Sequence, residues 1–255
     1  IVRRSQRQKP EKGKLEQYMS TMHSIRLNIQ RYDPETQRSW VQTYSLEVSG
    51  MLRFTDVLRK INQEQDPGLA WTSSCEHAQC GSCSAVVNGK PLLLCELLVQ
   101  KAVEVFATTA FTLKPLNIAP VLRDLIVDLA QAYERVHQAK PYIIDPAAPP
   151  PEGDEPRIPP NVMDRYVEAT RCINCFCCAQ ACVSSHHNFL GPNAMLANIV
   201  RLFDPKEQAT TERLDLLAAE NGLARCHTAR ACSFVCPKDI DVAHFLALGK
   251  AGRFS

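Results

Sequence analysis

Twelve cysteines in 255 residues, gathered into three short stretches, constrain this chain more than any other feature. The groups are Cys75, Cys80, Cys83 and Cys95, then Cys172, Cys175, Cys177, Cys178 and Cys182, then Cys226, Cys232 and Cys236. Disulfides of secreted proteins lie scattered along small, loop-rich chains, whereas tight grouping favours thiolates held for metal ligation in a reducing compartment. A hydrophobic fraction of 45% and a charged fraction of 22% supply material for two compact cores. A formal net charge of +2 makes no field that would hold nucleic acid, and no such partner is expected. Charged residues interrupt every hydrophobic stretch before the roughly 18–20 apolar residues of a membrane-spanning helix, so any membrane contact is expected to be peripheral. Residues 1–22, with Arg3, Arg4, Arg7, Lys9, Lys12 and Lys14, lack the apolar core of a secretory signal and read as a flexible basic extension.

From His23 the pattern is strand-like. Ile25, Leu27 and Ile29 alternate with polar residues, Asp33-Pro34 marks a turn, and Tyr44, Leu46 and Val48 alternate again, which predicts a hairpin. Thr55 is placed to cap a short helix carrying Val57, Leu58 and Ile61, ended by Asp66-Pro67-Gly68. After the first cysteine loop, residues 85–87 and 92–94 flank Asn88-Gly89 as a second hairpin, with Cys95 expected on its returning strand. Val121, Leu122, Leu125, Leu129, Ala132 and Val136 recur at helical spacing. A mixed domain over residues 23–144 follows. Residues 145–160 hold seven prolines and read as a linker. Residues 161–255 carry few strand signals and helical character at 194–203 and 212–220, with Gly222 placed to end the latter, so the second domain is expected to be mostly α.

The first group has the spacing C-x4-C-x2-C-x11-C of plant-type [2Fe-2S] ferredoxins. Two irons, each completing a tetrahedron with two bridging sulfides and two thiolates, require four cysteines. Gly81, Ser82 and Ser84 let backbone N–H groups approach the cluster sulfurs. A structural zinc site is the competing reading, but zinc sites typically pair C-x2-C units. The second group, Cys172-x2-Cys175-x2-Cys178-x3-Cys182, is the bacterial ferredoxin run, whose fourth cysteine ligates the other cluster of a pair. Registering Cys226 on Cys172 puts Ala229 at the second ligand position, Cys232 at the third and Cys236 at the fourth, followed by Pro237. Crossing the fourth ligands assigns a [4Fe-4S] cluster to Cys172, Cys175, Cys178 and Cys236. Cys182, Cys226 and Cys232 remain, with no thiolate for a fourth iron, and a [3Fe-4S] cluster is the natural occupant. Cys177 is surplus and reads as a small residue packed beside the cluster.

This order of clusters resembles the iron-sulfur subunit of the succinate dehydrogenase and fumarate reductase family, with the likeness running over about residues 23–250. It is carried by CEHAQCGSC from Cys75 to Cys83, Cys95, CINCFCCAQAC from Cys172 to Cys182, and CHTARACSFVCPKDI from Cys226 to Ile240. The resemblance implies an α+β chain: an N-terminal β-grasp plant-type ferredoxin domain followed by an all-α bacterial-ferredoxin-like domain. It implies a flavoprotein partner with FAD and a membrane-anchor partner that handles quinone and can carry haem b, neither cofactor being on this chain. Electrons would run singly between flavin and quinone through [2Fe-2S], [4Fe-4S] and [3Fe-4S], at the cytoplasmic face of the inner membrane, with no catalytic acid, base or nucleophile here. Val183 stands where many relatives have proline, and His186-His187 where many succinate-oxidising relatives have aromatics. His227 matches a histidine near the quinone in that branch and is expected to contribute to a quinone site. The leading expectation is a membrane-bound quinol:fumarate reductase. The alternatives are succinate:quinone reductase, which uses the same parts, a soluble thiol-linked fumarate reductase, and a colourless zinc module.

Overall fold

The computed structural model describes residues 21–148, 154 and 157–254. The basic stretch 1–20 and proline-rich positions 149–153, 155 and 156 lie outside the described residues. The chain forms two compact units: residues up to 129 with 173–177, and residues 130–172 with 178 onward.

In the first unit β1 (Met22–Asp33) and β2 (Arg38–Ser49) pair as a long antiparallel hairpin, from Met22 opposite Ser49 to Asp33 opposite Arg38. The alternation seen in sequence puts Ile25, Leu27, Ile29, Tyr44, Leu46 and Val48 inside. Helix α1 (Phe54–Glu64) buries Phe54, Val57, Leu58 and Ile61 completely, each stabilising the unit by about 1.5–3 kcal/mol. Strands β3 (Ser84–Val87) and β4 (Lys90–Leu93) form the second expected hairpin, with Asn88 at φ 46° and Gly89 at φ 81° in its turn. Helix α2 (Val99–Phe106) leads to β5 (Ala110–Lys114), which runs parallel to β1 and antiparallel to β3. The sheet order is therefore β2-β1-β5-β3-β4.

Three local expectations are corrected here. Thr55 lies inside α1, buried, while Arg53 is the N-cap and its N–H donates to Asp56 Oδ2 at 3.0 Å. Cys95 falls in the turn just after β4. The helical spacing from Val121 to Val136 divides into a small hairpin, β6 (Val121–Arg123) with β7 (Ile126–Val127), and a true helix α3 (Ala130–Gln138). Asp124 explains the break: it sits at φ 49°, is 1% exposed, and accepts the N–H groups of Tyr32 at 3.0 Å and Ala70 at 2.7 Å. Long-range partners on a buried carboxylate outweigh a local apolar period. Arg31 joins Asp124 (2.9 Å) to Asp66 and Tyr44. Burial alone would lower the Arg31 pKa, but the hydrogen bonds it donates to Asp124 and Asp66 raise it, so the guanidinium stays charged. The network ties residues 66–70, which enter the first cysteine loop, to β1 and β2.

The second unit is helical, and among its described residues an isolated bridge from Pro146 to Glu207 is its β pairing. Around the cysteines lie the one-turn helices α4 (Pro160–Met163), α5 (Val167–Thr170), α6 (Cys177–Gln180) and α9 (Ala231–Phe234). Longer helices α7 (Pro192–Phe203), α8 (Thr210–Ala218) and α10 (Val242–Ala251) form the scaffold. Helices α3 and α10 both pack on α7, where Phe203 meets Tyr166, Phe245 and Phe254. Arg213 and Glu207, 0% and 1% exposed, pair in the interior, and the guanidinium also donates to the Lys140 carbonyl at 3.0 Å.

Candidate metal centres

The first cysteine loop is built to face negative sulfur. Glu76 and Ala78 adopt left-handed φ of 52° and 55°, which turns successive N–H groups to one side. His77 and Gln79 donate to Cys75 Sγ at 3.4 and 3.3 Å, Ala78 donates to Cys95 Sγ at 3.3 Å, and Cys95 N–H donates to Cys83 Sγ at 3.5 Å. Arg53 Nη1 holds the Glu76 carbonyl at 3.1 Å and so fixes the strained position. The four sulfurs act on one another. The Ser82 hydroxyl and Cys75 bring the Cys80 thiol down to about 6, while burial and the proximity of Cys95 and Cys80 push Cys83 up to about 12. A donor set of four cysteines wrapped in amide N–H groups fits a sulfide-bridged cluster of two irons.

Gly81 is required in this loop. Its φ is 75°, and a Cβ there would stand 2.8 Å from Cys175 Cα, inside the same unit.

The second and third cysteine groups are local copies of each other. Counting from Cys172, positions +2 and +4 are Asn174 and Phe176, at φ 49° and 59°; counting from Cys226, they are Thr228 and Arg230, at φ 58° and 59°. Each run then enters a four-residue helix at +5, Cys177–Gln180 or Ala231–Phe234. The backbone therefore puts Ala229 in the same conformational slot as Cys175, the register that spacing predicts. The cysteine is missing at 229, while the turn that would present it is kept.

Cys182, Cys226 and Cys232 come together on the wall of one cavity of about 80 Å³, with Ala229 and His227 also on the wall. Burial, then the nearby Cys182 and Cys226, push the Cys232 thiol up to about 11, which shows the three sulfurs close enough to act on one another. Three thiolates around a small void, with a methyl where a fourth would stand, fit an iron-sulfur cluster lacking one iron corner. His186 and His187 are exposed on and just after the 3-10 helix Val183–His186 and are not on this wall.

Cys177 is 0% exposed, and its role was not visible in the spacing. Hydrogen bonding with Cys177 is the main influence holding the Cys175 thiol below its usual range, and Cys177 Sγ also lies 3.9 Å from Ser84 Oγ. It is a neighbour that steadies a ligand candidate, which no spacing rule reveals.

Residues 26–134 match the 2Fe-2S iron-sulfur cluster binding domain and residues 168–240 the 4Fe-4S dicluster domain. The chain is 31% identical over 245 residues to the fumarate reductase iron-sulfur subunit of Haemophilus influenzae, covering 91% of this chain and 94% of that one. It is 34% identical over 224 residues to the mitochondrial succinate dehydrogenase (ubiquinone) iron-sulfur subunit 1 of Oryza sativa, covering 85% and 77%. Its fold is similar to a chain of the Mycobacterium smegmatis Sdh1 complex in the apo form, with a TM-score of 0.77, 26% identity, and coverage of 91% and 96%.

Proposed function

Because the chain belongs to the family of fumarate reductase and succinate dehydrogenase iron-sulfur subunits, we propose that it is the electron-transfer subunit of a membrane-bound quinol:fumarate reductase. Its partners are then a flavoprotein subunit with FAD, where fumarate and succinate interconvert, and a membrane anchor with quinone and, in some forms, haem b. Cys75, Cys80, Cys83 and Cys95 hold [2Fe-2S]; Cys172, Cys175, Cys178 and Cys236 hold [4Fe-4S]; Cys182, Cys226 and Cys232 hold [3Fe-4S]. The clusters supply one-electron transfer, which divides the electron pair of the flavin and of the quinol into single steps. The protein's part is to hold the thiolates, to aim N–H groups at their sulfurs, and to keep water away through buried residues such as Cys83, Cys95 and Cys232. The five-stranded sheet, with Phe54 of α1 packed edge-on against Phe111 of β5, and the helical second unit support the β-grasp and bacterial-ferredoxin-like readings of the two domains.

The observation that carries this reading is the repeat with its unequal second position, Cys175 in one copy and Ala229 in the other. It supports two unlike clusters on the two cysteine runs. A membrane-facing side for the three-cysteine cavity is supported by Val183 on its wall and Phe234 nearby in sequence, which are 66% and 58% exposed, and by His227 on the same wall. Among the described residues no helix is long and apolar enough to cross a membrane, so attachment through the anchor, at the cytoplasmic face of the inner membrane, is the arrangement proposed. His227 also favours a second reading, succinate:quinone reductase, because the same residue type marks the succinate-oxidising branch.

Low-temperature EPR with iron and sulfide counts on the complex tests the clusters. The expected result is a three-iron signal in the oxidised sample and a [2Fe-2S] signal on reduction; a zinc-loaded, EPR-silent protein would reject the relay. Membrane-fraction rates of quinol-dependent fumarate reduction and of succinate-dependent quinone reduction then decide direction.

A further inference from the structure

Ser184 is 5% exposed, and its hydroxyl is buried with no hydrogen-bond partner among the described residues. An unsatisfied buried hydroxyl costs about 1–3 kcal/mol and calls for a physical reason. Ser184 lies on the wall of the cavity that also holds Cys182, Cys226 and Cys232. Of the other polar side chains on that wall, Lys250 Nζ donates to the Cys226 carbonyl and to Thr228 Oγ1, Arg230 pairs with Asp241 at 2.7 Å, and His227 is exposed to solvent, so Ser184 is the polar side chain buried there with its hydroxyl unpartnered. The Ser184 hydroxyl lacks any partner, its O–H is free to donate, and sulfur is the acceptor that the three cysteines bring to this cavity.

We propose that the Ser184 hydroxyl is a positioning and tuning group for the three-iron cluster, donating its hydrogen bond to a cluster sulfide or to a ligating thiolate. The inference rests on the [3Fe-4S] reading above. An O–H donor stabilises the added negative charge of the reduced cluster more than the oxidised form, so it raises the midpoint potential. The adjacent Ser185 supplies the control. It is 2% exposed with an equally unpartnered hydroxyl, yet it is not on the cavity wall.

The test is an EPR redox titration of the assembled complex, with the [2Fe-2S] signal as internal reference. In Ser184→Ala the oxidised-to-reduced ratio of the three-iron cluster at fixed ambient potential rises about tenfold, equivalent to about 59 mV for a one-electron couple. The [2Fe-2S] potential stays put, Ser185→Ala titrates like wild type, and Ser184→Thr, which keeps the hydroxyl, restores much of the shift. Pulsed EPR of the oxidised wild type in H2O and D2O resolves a strongly coupled exchangeable proton that Ser184→Ala loses. An unchanged potential and an unchanged proton coupling in Ser184→Ala overturn the proposal. Should that variant fail to assemble, the wild-type spectra decide alone, since absence of any strongly coupled exchangeable proton also overturns it. A wild type without a three-iron signal rejects the cluster reading itself, an outcome distinct from a normal cluster that ignores Ser184.

Discussion

At the scale of single residues, position 229 is the one on which the proposed cluster assignment of the third cysteine group turns. Its neighbours Thr228 and Arg230 have the left-handed φ values that flank Cys175 in the other copy, so a side chain at 229 is presented as a ligand would be. Ala229→Cys is therefore expected to add a fourth iron. Iron analysis should rise by one per chain and the oxidised three-iron EPR signal should disappear; retention of that signal would show that the turn does not present residue 229 to the cluster. Gly81 makes the opposite kind of demand. Gly81→Ala meets a backbone penalty of about 1–2 kcal/mol at positive φ, plus the 2.8 Å approach to Cys175 Cα. The expected readout is a lower [2Fe-2S] content per chain and earlier loss of visible absorbance on heating, with wild-type behaviour counting against the close approach. The eleven ligand candidates are named from the spacing alone, because cluster geometry dictates intervals. The hydrogen bond of Cys177 to Cys175 and the unpartnered hydroxyl of Ser184 were not, since burial and partner identity come from chain segments that spacing does not relate.

At the scale of elements, the buried pair of Glu207 and Arg213 fastens the chain after α3 to the start of α8. Burial alone would raise the Glu207 carboxyl, but the N–H groups of Ile144, Ala209 and Asp145 and the Arg213 guanidinium bring it down to about 2. Arg213→Ala leaves that carboxylate buried and alone and is expected to cost about 3–5 kcal/mol in denaturant unfolding. The pH dependence has a definite sign. A carboxyl whose folded pKa is depressed stabilises fully above its unfolded value of about 4.3, and that stabilisation fades as pH falls toward 2. The melting difference between wild type and Glu207→Gln should hold constant from about pH 8 to about pH 5 and shrink below about pH 4.5. A difference that shrinks already near neutrality would mean that the carboxyl is not held this way. Element types near the first loop were mostly readable, because alternation in β1 and β2 and the Asn88-Gly89 turn are local signals. The apolar spacing across β6–β7 is helical, and it is the bonds of Asp124 and Leu125 to Tyr32 and Ala70, far away in the chain, that hold these residues as a hairpin and leave the helix to begin at Ala130.

At the scale of the whole molecule, the two units differ in what holds them together. The first has a five-stranded sheet over a fully buried helix face. In the second, the segments that carry cysteines are loops interrupted by one-turn helices such as Cys177–Gln180 and Ala231–Phe234, far shorter than the length at which helices persist without help. Iron removal by a chelator acting on the reduced protein should therefore lower the far-UV helical signal and open residues 160–182 and 226–241 to protease, while residues 22–114 stay protected. An iron-free protein with full helical signal would show that packing on α7 is sufficient alone. Sequence by itself determined the three cysteine groups, the register that leaves Ala229 opposite Cys175, and the two principal hairpins, because ligand intervals and side-chain alternation are short-range properties of the chain. Only the tertiary structure decided where β5 inserts, that Asp124 and Arg31 secure the entry to the first loop, and that Ser184 shares a cavity with Cys182, Cys226 and Cys232. Each of these depends on groups distant in sequence being desolvated together, and no local pattern encodes which buried donor will find which acceptor.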